Sequence, residues 1–139
     1  FSWGGRTLPI LYYSNKHNAL KAEMCNSIVY GNYSSEINYD LDEEGLPAEY
    51  VFRNCLIKQY MKTEDTNIYV NCIINSSPKF VYEAIKDETY RQYDYHLTSS
   101  SPAIGNASSE FAADFPIDLD GNNRLQDGSS DIGCYEFIQ

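Results

Sequence analysis

The sequence predicts an all-β protein built as a parallel β-helix, on three observations. Three short segments are alike: Cys25-Asn26-Ser27-Ile28-Val29-Tyr30, Arg53-Asn54-Cys55-Leu56-Ile57-Lys58 and Val70-Asn71-Cys72-Ile73-Ile74-Asn75. Each carries Asn, a small residue and two aliphatics, and the asparagines fall 28 and 17 residues apart. A stack of coils tolerates unequal spacing, because its strands repeat while its loops vary. Next, 13 of the 139 residues are Tyr, a strand former with a wet end that suits the surface of a strand-rich protein. Finally, the remaining apolar runs are short and bounded by Asn, Gly and Ser.

Each element follows from that frame. Stacked coils place parallel strands about 4.8 Å apart and build ladders of equivalent residues. Asn26, Asn54 and Asn71 are expected at a bend, with amides bonding up and down the stack. Ile28, Leu56 and Ile73 are expected as an aliphatic ladder inside it. Cys55 and Cys72 fall in register. The strand spacing exceeds the roughly 3.8 Å Cβ separation a disulfide prefers, so stacked free thiols are favoured over a bridge. Cys25 is offset by one position, and neither it nor Cys134 has an obvious partner. Other strand candidates are Leu8–Tyr13, Glu36–Tyr39, Phe80–Tyr82, Tyr95–Leu97 and Cys134–Phe137. Ala19–Met24 holds helix formers but is short for a helix. Ser101 before Pro102 reads as an N-cap with Pro at N1, opening one helical turn. Asp40–Pro47 is acidic and Lys86–Gln92 is of mixed charge; both read as solvated excursions. Residues 1–98 are assigned to the coils, and 99–139 to a closing segment of the same domain.

Composition excludes some functions. Against 10 Lys+Arg stand 20 Asp+Glu, a net charge of −10. A nucleic-acid reader needs a basic stripe, and none is present. Anionic membrane surfaces are disfavoured for the same reason. No apolar run of about 18 residues is present to span a bilayer, and no signal-peptide pattern is seen. The start at Phe1-Ser2-Trp3 points to a processed or partial chain. Tyrosine faces also stack on sugars, although strand propensity is the weightier reading of their number.

Candidate chemistry is sparse. Asp118-Leu119-Asp120-Gly121-Asn122 offers Asp118, Asp120 and Asn122 as alternating oxygen ligands for a hard cation such as calcium. An EF-hand loop begun at Asp118 needs Gly at position six and Glu at position twelve; the residues there are Asn123 and Ser129. A tight turn is therefore favoured, with Asp and Asn bonding nearby amides and Gly121 supplying an unusual φ. No cofactor is expected. Arg124 is expected to pair with Asp131 across the open end of the stack. His96 has Asp94 close by, and His17 lies in a polar stretch; neither shows the converging groups a catalytic histidine needs. Carboxylate pairs such as Asp40 with Asp42 could serve a glycosidase only across a cleft of about 5–9 Å. Asn32, Asn75 and Asn106 match the N-glycosylation pattern.

The strongest pattern lies at the end. Ser101-Pro102-Ala103-Ile104, Asp118-Leu119-Asp120-Gly121-Asn122 with Arg124, and Asp131-Ile132-Gly133-Cys134-Tyr135-Glu136 together resemble the closing motif of bacterial right-handed parallel β-helix surface proteins. These are the choice-of-anchor Q-like proteins of the pectate-lyase-like superfamily. Asn26–Asn32, Ser77–Val81 and Asp94–Leu97 are similar to other stretches of that family, so the resemblance covers roughly residues 25–137. Lys79, Gly105 and Cys134 depart from its pattern. The resemblance implies the last coils of a β-helix plus a C-terminal capping segment. It also implies an extracellular or outer-membrane location in Bacteroidetes-like bacteria, as a secreted or lipid-anchored protein. Expected partners are a polysaccharide or another surface protein. A non-catalytic, glycan-binding portion is the first functional expectation. Part of a polysaccharide lyase or glycoside hydrolase is the alternative, as is an accessory subunit of a nutrient-uptake complex.

Overall fold

The computed structural model describes residues 8–60, 63–82 and 94–138. The loop Lys86–Gln92 lies outside the described residues. The described residues are mostly strand, in small sheets, with one short helix among them. Strands β1 (Leu11–Ser14), β2 (Leu20–Cys25) and β3 (Ile28–Val29) come first. Strands β4 (Ile37–Asp40), β5 (Ala48–Arg53) and β6 (Leu56–Ile57) follow. Then come β7 (Tyr69–Val70), β8 (Ile73–Ile74), β9 (Phe80–Tyr82), β10 (Asp94–Leu97) and helix α1 (Ser109–Asp114). Three parallel sheets are visited in the same order: β1 beside β4, then β2-β5-β7, then β3-β6-β8. The parallel order stops at β8, and β9 pairs antiparallel with β10.

The register agrees with the three similar segments. Ile28 sits beside Leu56, and Leu56 beside Ile73. Asn26, Asn54 and Asn71 mark the bend, at φ 48°, 50° and 52°. Asn tolerates this left-handed conformation better than any other residue with a large side chain. The small residue that follows also has a task. Ser27 Oγ, Cys55 Sγ and Cys72 Sγ each donate to the carbonyl two residues back, at 2.7, 3.3 and 3.6 Å. A hydroxyl or a thiol can fill that position, because both are compact donors. All four cysteines are free, and Cys55 and Cys72 lie side by side. The Cys72 contact and burial push the Cys55 thiol far up.

The structure corrects several expectations. The amides of Asn26 and Asn54 do not bond up the stack. Asn26 donates to Ser108 O and accepts from Ser108 N, while Asn54 donates to Asn106 O. The amides that do bridge successive repeats are elsewhere: the Gln59 side chain holds Ile37 N and O, and the Asn75 side chain holds Gln59 N and O. Ala19–Met24 is not helical. Leu20–Cys25 pairs along its whole length with Ala48–Arg53, a strand the sequence reading missed, and tertiary pairing overrides helix propensity here. Cys134–Phe137 forms no strand. Of the candidate Leu8–Tyr13, pairing starts only at Leu11.

Two cores flank the β3-β6-β8 sheet. Val29 and Ile57 point inward to Phe52, Cys55 and Tyr69. Tyr13, Tyr39 and Tyr50 pack against that cluster, with Tyr39 and Tyr50 stacked at 5.2 Å. These tyrosines serve the interior rather than the surface, and the Tyr39 and Tyr69 hydroxyls satisfy each other at 2.6 Å. Alternation along a strand sends Ile28, Leu56 and Ile73 to the opposite face. There they meet Leu97, Ala103 and Ile132. The aliphatic ladder therefore exists in the expected register but faces the closing segment, not the interior between the sheets.

The closing segment is a lateral strap. Ser101 Oγ donates to Pro78 O and accepts from Ala103 N, the expected N-cap, opening a turn over residues 102–105. From there the chain passes Asn54 at Asn106 and Asn26 at Ser108, crossing the strands. Helix α1 follows and ends before Pro116, which disfavours helical geometry at Phe115. Ile132 N then bonds Ala103 O, and Gly133 N bonds Asn26 O. Gly133 is required there: its φ is +122°, and a Cβ would stand 3.1 Å from Ile28 Cδ1.

Arg124 does not pair with Asp131. Its guanidinium bonds Glu136 Oε1 at 2.7 Å and Cys134 O, in a largely buried site. Glu136 also receives Ser130 Oγ and Asp131 N, and Asp131 receives Gly105 N and Phe137 N. The carboxylates of the closing motif thus fold the strap upon itself. The acidic loop of residues 40–47 is exposed as expected, yet it is pinned. Buried Asn15 donates to Asp42 O and Leu46 O and accepts from Asp42 N.

Candidate functional site

The strap leaves a groove of about 490 Å³ beside the β3-β6-β8 sheet. Its origin is local. The bend at Asn26 turns Ser27 and Ile28 toward it, and Tyr30 follows at the end of β3. Alternation on β10 sends Tyr95 and Leu97 to the groove, and β9 adds Phe80. The strap supplies Ile132 to Tyr135. Four aromatic rings, Tyr30, Phe80, Tyr95 and Tyr135, thus converge, while the nearby Asn26 amide and Ser27 hydroxyl are spent on Ser108 and Cys25 O. Phe80 meets Tyr95 edge to face at 5.2 Å, which fixes the ring angles on that side. Lys58 Nζ lies 5.1 Å over the Tyr30 ring while bonding Gly31 O. None of the described lining residues is charged.

Behind this wall is a clasp that spacing could not reveal. His96 Nδ1 lies 2.5 Å from Asp94 Oδ1, and Nε2 lies 2.8 Å from Asp120 Oδ2. The ring stacks on Tyr135 at 3.9 Å between centroids and 20° between planes. Hydrogen bonds that the ring donates to Asp120 and Asp94 favour its charged form, raising its pKa above the ordinary histidine value. An imidazolium donating from both nitrogens has no lone pair with which to take a proton. The geometry is that of a holding group, not a general base. Asp94 was legible as a neighbour; Asp120 was not, being 24 residues distant.

The candidate cation ligands Asp118, Asp120 and Asn122 all carry hydrogen bonds within the protein. Asp118 is buried, and its carboxylate receives Asp120 N, Asn122 N, Asn122 Nδ2 and Glu136 N. Burial pushes this carboxyl up, but those donors outweigh it and leave the pKa lowered. Asp120 turns to His96, while the Asn122 amide is spent on Asp118. With Gly121 at φ +89°, this is a turn locked by its own first aspartate. Among the described residues no group of three or more His, Cys, Asp or Glu is placed to hold a metal.

The other candidates also resolve into local structure. Asp40 binds Lys16 Nζ at 2.5 Å and the Tyr12 hydroxyl, whereas Asp42 Oδ1 caps Glu44 N. His17 is exposed in the turn between β1 and β2. Burial pushes the Cys134 thiol up, away from nucleophilic use at neutral pH. Among the described residues no helix is long and apolar enough to cross a membrane. Comparison with known proteins matches the chain to no family model, no curated protein and no solved structure.

Proposed function

We propose that this chain is a non-catalytic parallel β-helix portion of a secreted or surface-anchored bacterial protein, and that its groove binds an uncharged glycan. The three parallel sheets, visited in one order with coil offsets of 28 and 17 residues, support the β-helix reading. The location rests on the sequence resemblance at the closing motif. One observation carries the binding reading: the rings of Tyr30, Tyr95 and Tyr135 converge on one groove whose described lining bears no charge. Sugars offer apolar faces on which such rings stack, and a phenol adds a hydroxyl at the ring's wet end. Asp94 and Asp120 stand just behind Tyr135, and the chain carries −10 overall, which disfavours acidic glycans.

A glycan array tests this directly. The chain should retain neutral oligosaccharides and lose them on Tyr95→Ala and on Tyr135→Ala, while Tyr60→Ala, at an exposed residue outside the groove lining, leaves binding intact. Retention confined to acidic glycans, or binding indifferent to both groove tyrosines, would sink the proposal.

A further inference from the structure

Tyr135 is the groove wall with the least support from its own segment. It belongs to an irregular stretch, between Cys134, which is exposed, and Glu136, which is turned into the buried Arg124 site. Its ring is backed instead by His96, on a strand 39 positions earlier in the sequence. That imidazole is fixed at both ends: Asp94 holds Nδ1 from the same strand, and Asp120 holds Nε2 from the locked turn. Asp94 is itself aligned by accepting the His96 backbone N–H. Asp118 anchors the turn by four donors, one of them the backbone N–H of Glu136, the residue after Tyr135. Strand, turn and strap thus meet at a single ring pair.

From this geometry we infer that His96 is the positioning residue of the groove: clasped by Asp94 and Asp120, its ring sets the plane of Tyr135 and so the shape of the ligand-binding wall. The inference rests on the groove reading given above. His96 touches no groove ligand itself; it acts through Tyr135. Two separate properties are required of it. Its flat face backs the phenol ring, and its two N–H groups fix the angle of that face. Phenylalanine keeps the first property and loses the second. Glutamine keeps part of the second and loses the first.

The charge state matters because two carboxylates need two donors. A neutral imidazole has one N–H, so it can satisfy Asp94 or Asp120 but not both. The other carboxylate then faces a lone pair. Among the described residues, the titratable groups facing His96 are Asp94 from β10, Asp120 from the turn and Tyr135 from the strap, with Asp118 behind Asp120. The clasp is therefore complete below the raised His96 pKa and weakened above it.

The test uses the whole chain and two readouts. The first needs no ligand: aromatic ¹H–¹³C NMR cross-peaks of His96 and Tyr135 are followed from pH 5.5 to 9.5. Tyr135 should shift with the same midpoint as His96, and this shift should vanish in His96→Phe and His96→Gln. The second is the neutral oligosaccharide array read at pH 6 and pH 9. Wild-type retention should fall about fivefold at the higher pH, as for a residue coupled to a site without touching its ligand. Both variants should bind about fivefold more weakly at pH 6 and show no pH dependence. Retention that is flat with pH in the wild type, with both variants binding normally, would overturn the inference and leave the groove reading standing. Absence of retention at every pH would overturn the groove reading, and the NMR titration would then decide the positioning role alone. A Tyr135 signal blind to His96 ionisation would end it.

Discussion

Replacing Ile132 by alanine probes the lateral strap at its deepest point. Ile132 is fully buried and packs with Leu56, Leu97 and Ala103, against the ladder that also includes Ile28 and Ile73. The substitution removes three carbons. At ~0.8 kcal/mol per buried carbon, the transfer loss is about 2.4 kcal/mol. The residual cavity adds to this, because Leu56 and Ala103 belong to separate, hydrogen-bonded segments that cannot collapse freely. A total of about 3–4 kcal/mol is expected, inside the usual range for large-to-alanine core changes. For a chain of 139 residues, ~3 kcal/mol corresponds to a fall of about 10 °C in Tm. Urea unfolding followed by circular dichroism measures the loss, with the slope expected to stay constant. Leu119→Ala is the control; that side chain is 73% exposed, and a change within about 0.5 kcal/mol is expected. A loss below about 1 kcal/mol for Ile132→Ala, or one matched by the control, would show that the strap does not depend on this plug.

Other outcomes follow from the same contacts. Gly133→Ala should cost more than ~1 kcal/mol, because alanine is strained at φ +122° and its Cβ meets Ile28; thermal unfolding reads this out. Arg124→Leu should destabilise by about 3 kcal/mol by leaving the buried Glu136 carboxylate without its cation, and Arg124→Leu with Glu136→Gln should recover part of that in chemical denaturation. Asn15→Ala should release the acidic loop, seen as faster Glu-specific proteolysis at Glu43 and Glu44. The His96 clasp should add stability that is fully present below about pH 6.5 and lost as pH rises through the raised pKa of the folded state; His96→Phe should flatten that limb of the stability profile. The lowered Asp94 and Asp118 carboxyls act on the other limb, their contribution present above about pH 3.9 and lost as pH falls through their folded values.

Register was readable in the sequence because one residue type has a conformational duty. Asn recurs where the backbone must turn left-handed, so aligning Asn26, Asn54 and Asn71 aligns everything after them. The following Ser or Cys could be aligned for a similar reason, since each donates to a nearby carbonyl. Facing was not readable. Ile28 and Val29, Leu56 and Ile57, and Ile73 and Ile74 are chemically equivalent pairs with apolar surroundings on both sides, so alternation cannot tell which member faces inward. The partner of Arg124 was misassigned for a different reason. Asp131 and Glu136 are both near in sequence, but Asp131 has its oxygens committed to Gly105 N and Phe137 N. The groove needed the strap's path across the strands, and the clasp needed Asp120 to arrive from a turn. Neither leaves a periodic trace.

The strap also dictates an order of assembly. Asn26 meets Ser108 across 82 residues of chain, whereas the parallel strands β3, β6 and β8 meet across only 28 or 17. Closing the longer loop costs more entropy, so strand pairing precedes strapping. During synthesis the row of Ile28, Leu56 and Ile73 must therefore wait, uncovered, until Ala103 and then Ile132 have left the ribosome. For that interval the molecule presents a flat aliphatic stripe on ordered strands, the kind of surface on which chains misassociate. The late-arriving Asp131-Ile132-Gly133 sequence thereby governs how long the nascent protein stays sticky, as well as how stable it becomes.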